Sequence, residues 1–143
     1  MESTPAHRFP TPAAARAFAL AGKAVLTLQS ERTGVHFTYQ VRRAEADKPL
    51  WYVSVLNGPD RFAYMAVLDE RGPRATRKSR VDAAAPAFRA FAYWWQHTAA
   101  DKPAPHCIAR HEGRCGRCHR ALTHPESLDL GIGPECASKL ECA

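Results

Sequence analysis

Cys115-Gly-Arg-Cys118 sets two thiols two residues apart, and a third follows in Gly131-Ile-Gly-Pro-Glu-Cys136. Four of the five cysteines fall within the last 29 residues, so they are not scattered as core fillers would be. Zinc takes four nitrogen or sulfur ligands in a tetrahedron, and a tight Cys-x2-Cys turn supplies two thiolates with the right bite. Pro134 suits the first position of a helix, which puts Cys136 in a first turn whose free N–H groups and dipole favour a thiolate. Thr123 and Glu126 fit a capping box between the two halves. A knuckle followed by a ligand at a helix start resembles a treble-clef zinc site. The fourth ligand stays open: His111 is favoured, Cys142 is the alternative, and His119, His124 and Cys107 are further candidates. The expectation is one structural Zn²⁺ on Cys115, Cys118, Cys136 and His111.

A closed set of this kind argues against catalysis, because a catalytic zinc keeps a position open for water beside a general base. The deaminase pattern needs His-x-Glu upstream of Pro-Cys-x-x-Cys. Here His111 and Glu112 are adjacent and no proline precedes Cys115. Gly131-x-Gly133 is too short for a dinucleotide or phosphate-loop fingerprint, and no Gly-x-Ser-x-Gly element is present. The chain reads as a non-enzyme, with a zinc hydrolase as the remote alternative.

The elements that must carry this site come earlier. At 143 residues the chain suits one domain with a small appendage. Residues 1–10 read as a loose arm. Thr11 and Pro12 open a short helix over 12–21, stopped at Gly22. The period then changes to two: Ala24 to Gln29 and Val35 to Val41 predict strands joined by a turn ending at Gly34. Trp51 to Leu56 and Phe62 to Leu68 predict a second pair, joined through the hairpin-prone Asn57-Gly58. Arg74 to Val81 is a candidate fifth, edge strand. Asp82 would cap a helix over 84–98, whose Phe88, Phe91 and Trp95 form one apolar stripe. The fold class is therefore α+β. It comprises a short N-terminal helix, a four- to five-stranded antiparallel meander backed by a helix over 11–98, a linker over 99–105, and a treble-clef-like zinc module over 106–143.

The net charge is +6, and all of that surplus lies in residues 1–100. Arg71, Arg74, Arg77, Lys78 and Arg80 put five cations in ten residues with no acid among them. Such a run suits phosphate contacts, as do Arg114 and Arg117 of the knuckle, with Arg110 and Arg120 beside them. Phe37, Tyr39, Trp51, Tyr52, Phe62 and Tyr64 would stack on bases if they face outward, or build the core if they face inward. Two partner classes follow. One is nucleic acid or a nucleoprotein complex; the other is a protein surface that a basic face would block. No window approaches the roughly 20 apolar residues of a membrane span, and the alanine run around Arg16 is a poor signal peptide. A soluble, cytoplasmic protein is expected.

The stretch His111-Glu-Gly-Arg-Cys-Gly-Arg-Cys118, Leu122-Thr, Pro125-Glu-Ser127 and Gly131 to Cys136 resembles a zinc-binding family of unknown function (DUF6011-like) of bacteriophages and prophages. Phe37-Thr-Tyr39, Val53 to Pro59, Lys78-Ser-Arg80 and Ala90 to Trp94 resemble the same phage proteins, so the likeness runs from about residue 18. His119 departs from the family, which usually has glycine after the second cysteine. The resemblance implies zinc and a phage setting in a bacterial host cell, and it brings no reaction. In that setting the protein-blocking alternative becomes an anti-CRISPR-like inhibitor of a host defence system.

Overall fold

The computed structural model describes residues 9, 11–45, 48–57 and 61–111. The expectations for Cys115, Cys118, Cys136, Cys142, Arg114 and Arg117 lie outside the described residues.

The chain runs α1 (Pro12–Ala19), β1 (Lys23–Ser30), β2 (His36–Arg43), β3 (Trp51–Leu56), β4 (Phe62–Asp69), β5 (Gly72–Arg74), α2 (Pro86–Ala99) and β6 (Cys107–His111). The α+β class is as expected, but among the described residues the sheet has six antiparallel strands rather than four or five, in the order β5-β4-β3-β2-β1-β6. The first five form the meander. The chain then returns through α2 and lays β6 against the open edge of β1, with Leu26 opposite His111 and Ser30 opposite Cys107. The stretch 107–111, expected to follow a linker as part of the zinc module, is thus a sheet strand.

Side-chain chemistry sets each boundary. The Thr11 hydroxyl accepts the Ala14 N–H at 3.1 Å and starts α1, with Pro12 in the first turn. Two expectations are corrected. The edge strand is Gly72–Arg74, not Arg74–Val81, because the Thr76 and Ser79 side chains bond nearby backbone and fold that segment into a turn. Asp82 does not cap α2. Its carboxylate accepts the Ala84 N–H at 2.8 Å and shapes the preceding turn, while Ala85 occupies the cap with no side-chain bond.

Both helices pack on one face of the sheet. Phe88, Phe91, Trp94 and Trp95 of α2 are buried against Tyr39, Val41, Val53 and Leu68. Arg16 of α1 donates to the carbonyl of Ala99 at 3.1 Å, satisfying part of the C-terminal end of α2. The Trp51 indole N–H donates to Leu20 O at 3.1 Å, and the Tyr39 hydroxyl donates to Ala87 O at 2.6 Å. Phe9, within the expected loose arm, packs on Phe18 at 5.1 Å between ring centroids.

Burial gives this fold an alkaline limit. Burial, and secondarily Glu31, pushes the Cys107 thiol from 9.0 up to about 11. Burial also raises the Tyr39 hydroxyl well above the usual phenol range, with Cys107 a second cause. Above pH 9.0 the unfolded thiol releases its proton while the folded one keeps it, so stability falls as pH rises toward about 11. The urea midpoint should therefore be lower at pH 10.5 than at pH 8, and Cys107→Ala should flatten the early part of that decline. Identical profiles for the two chains would show that the thiol contributes nothing.

Candidate nucleic-acid interface

The face of the sheet opposite the helices gathers the cations and aromatics. Alternation sends Lys23, Thr27 and Gln29 of β1 outward, with His36, Thr38, Gln40 and Arg42 of β2 beside them. On β3 and β4 the outward positions are Tyr52, Ser54, Leu56, Phe62 and Tyr64, with Val67 on the same face but buried beneath its neighbours. The six strand aromatics singled out in the sequence therefore divide. Tyr39 is fully buried, and Phe37 and Trp51 pack against the core. Tyr52 is 45% exposed and Phe62 36%, and Tyr64 stands beside Tyr52 edge-on at 5.9 Å.

The strand register aligns five residues on this side of the sheet. Lys23 faces Arg42, Arg42 faces Tyr52, Tyr52 faces Val67, and Val67 faces Arg74. With strands about 4.8 Å apart, this row crosses five strands over about 19 Å. Like charges directly opposite on neighbouring strands repel, so the Lys23–Arg42 pair is unfavourable until an anion joins it. Sequence reasoning missed both residues. Their signal was the outward parity of β1 and β2, which becomes a row only once the register is known.

The basic segment is built on the same sheet. Arg80 N–H donates to Tyr64 O at 2.8 Å, and the Thr76 hydroxyl donates to the Tyr64 hydroxyl at 3.2 Å. These bonds hold the turn carrying Arg77 and Lys78 against the edge of β4. Its five cations are not equivalent. Arg74 pairs with the Asp69 carboxylate at 2.6 Å and Arg71 at 3.4 Å. The Arg71 backbone N–H, then the Arg74 side chain, hold the Asp69 carboxyl below its usual range. Arg77, Lys78 and Arg80 are exposed and have no carboxylate partner among the described residues. Asp69 is the one carboxylate at a described outward strand position.

His111 ends β6 and is 4% exposed, its ring 5.3 Å from Phe9 and 5.5 Å from Phe18. Packing thus fixes the imidazole, which is not the surface group of a polar loop. Cys107 lies four residues earlier on the same strand, about 13 Å away at the usual rise per residue, so the two cannot share a zinc ion with bonds of about 2.0–2.3 Å. No group of three or more His, Cys, Asp or Glu able to hold a metal occurs among the described residues. A ligand set containing His111 therefore has to draw on the later cysteines, and His with Cys-x2-Cys and a further Cys is a donor set that zinc accepts.

An apolar groove of about 560 Å³ lies between α2 and the β1–β2 turn, lined by Leu28, Val35, Phe37, Tyr93, Pro105 and Cys107 among others. Its thiol, with a pKa of about 11, is protonated at neutral pH and so is a poor nucleophile. Among the described residues, no helix is long and apolar enough to cross a membrane.

No curated protein and no solved structure matches the chain. Residues 109–141 match the model of a family of unknown function (DUF6011), a stretch that opens on the last three residues of β6 and runs through Cys115, Cys118 and Cys136.

Proposed function

We propose that this protein is a non-enzymatic nucleic-acid-binding protein of phage type. It acts in the host cytoplasm and is braced by one structural Zn²⁺ on Cys115, Cys118, Cys136 and His111. The metal, when bound, supplies a cross-link for a segment too small to build its own core. Binding belongs to the sheet. The observation that carries this reading is the open face, where exposed aromatics lie between Lys23 and Arg42 on one side and Arg77, Lys78 and Arg80 on the other. Asp69, the one carboxylate there among the described residues, is already bound by two arginines. An excess of cations over a broad face attracts a polyanion, and aromatics at its centre favour one that offers bases.

Salt dependence is the test. Affinity for a fluorescein-labelled oligonucleotide of about 16 nucleotides should fall steeply between about 50 and 200 mM salt. Four phosphate contacts would weaken single-strand binding roughly 50-fold over that range. Arg42→Glu and Lys78→Glu should each lower both the affinity and the slope. Arg89→Glu makes the same charge change at an exposed position on α2, behind the sheet, and should do neither. Affinity that stays flat with salt, or falls equally for all three variants, would refute a sheet-centred nucleic-acid interface.

A further inference from the structure

We infer that the partner of this face is a single strand, laid along the Lys23–Arg42–Tyr52–Val67–Arg74 row across the strands, with bases stacked on Tyr52 and Tyr64. This rests on the nucleic-acid reading above and narrows it.

The shape of the face selects the form of the polyanion. A duplex presents phosphates outward and hides base faces inside its stack, so it cannot stack its bases on rings that stand on a sheet face. The centre of this face is not cationic. It holds Tyr52 in the row, with the buried Val67 opposite it, Tyr64 and Ser54 in the next register pair, and Leu56 opposite Phe62 beyond them. Cations flank this patch at both ends, Lys23 and Arg42 on β1 and β2, and the Arg77–Arg80 turn beyond β4. An apolar, aromatic centre between cationic margins suits unstacked bases with phosphates running past on either side.

The two rings are also held differently. Tyr64 is bonded through its hydroxyl to Thr76 and through its carbonyl to Arg80, which ties it to the basic turn. Tyr52 stands edge-on to Tyr64, so the two rings present different planes and seat two bases rather than one continuous stack. Sheets that read single strands commonly stack two or three bases on such positions. Nothing in this geometry depends on the sugar, so single-stranded RNA and DNA should bind alike.

The test compares labelled single strands of RNA and DNA with the matching duplex, at equal salt, on the full-length chain. Single strands should bind at least roughly tenfold tighter than duplex, and Tyr52→Ala should lose roughly tenfold on single strands while leaving duplex affinity unchanged. Tyr52→Phe keeps the ring and should bind as wild type. Tyr52→Leu keeps a bulky apolar side chain without a ring and should lose affinity as Tyr52→Ala does, which separates stacking from folding, and thermal melts confirm that each variant folds. Duplex bound as tightly as single strand, or Tyr52→Ala without effect, overturns the single-strand inference and leaves the broader reading standing. Binding to neither overturns both.

Discussion

Cys115→Ser and Cys136→Ser chains are expected to purify without zinc, whereas wild-type and Cys107→Ser chains carry one zinc each by elemental analysis. The effect should be large, because structural zinc contributes about 10–16 kcal/mol of apparent binding free energy in small zinc peptides, and losing a thiolate removes most of it. Cys107 is set apart by its position opposite Ser30, at the far end of β6 from His111. His111 is best tested with His111→Phe, which keeps a ring against Phe9 and Phe18 while removing the donor nitrogen. Loss of zinc there assigns the fourth ligand to His111, and full retention moves it to Cys142, His119 or His124. The metal should also be felt in the sheet. Among the described residues β6 pairs only with β1, and it ends on His111, so the amides of residues 107–111 should exchange at least roughly tenfold faster in the Cys136→Ser chain. Zinc retained by Cys136→Ser would refute the ligand assignment.

What could be read in the sequence was whatever repeats within a few residues. The alternation around Phe37, Tyr39 and Val41 gave β2, and the span Trp51–Leu56 is the same in sequence and structure. The stripe of Phe88, Phe91 and Trp95 does face the sheet. What could not be read depends on partners far along the chain. Cys107 to His111 has no strong alternation of its own, and it becomes a strand because β1 has a free edge about eighty residues earlier. The facing of β4 is broken by a register shift after Val53, where Met65 takes the extra position. Ala63 and Ala66 both face the core as a result, and no strict period of two predicts that. The basic run was visible as composition, but the engagement of Arg71 and Arg74 by Asp69 was not, since that carboxylate lies just outside the run. The row from Lys23 to Arg74 is a product of register alone. Four pairings have to fall in line before three scattered cations and a tyrosine become one surface.

Phe91→Ala should cost roughly 3–5 kcal/mol, the usual range for removing a fully buried phenylalanine. The side chain is 0% exposed, with its ring 5.2 Å from Tyr39, 5.7 Å from Trp94 and 6.3 Å from Trp95. It joins α2 to the middle of the sheet, so its loss leaves a cavity that neighbouring aromatics cannot close without leaving their own contacts, and Tyr39 also anchors Ala87 O. Domains of this size have about 5–15 kcal/mol of stability in all, so this one change should remove a large share of it. Urea denaturation followed by tryptophan fluorescence reports directly, because Trp94 and Trp95 pack against the ring. The comparison with the metal variants is informative. If the metal braces the segment after β6 while α2 braces the sheet, Phe91→Ala protein kept below its midpoint retains its zinc, and Cys136→Ser protein retains a cooperative unfolding transition of the sheet. A Phe91→Ala cost below about 1 kcal/mol would mean that α2 is not what holds the helical face together, and zinc would then have to stabilise the whole molecule.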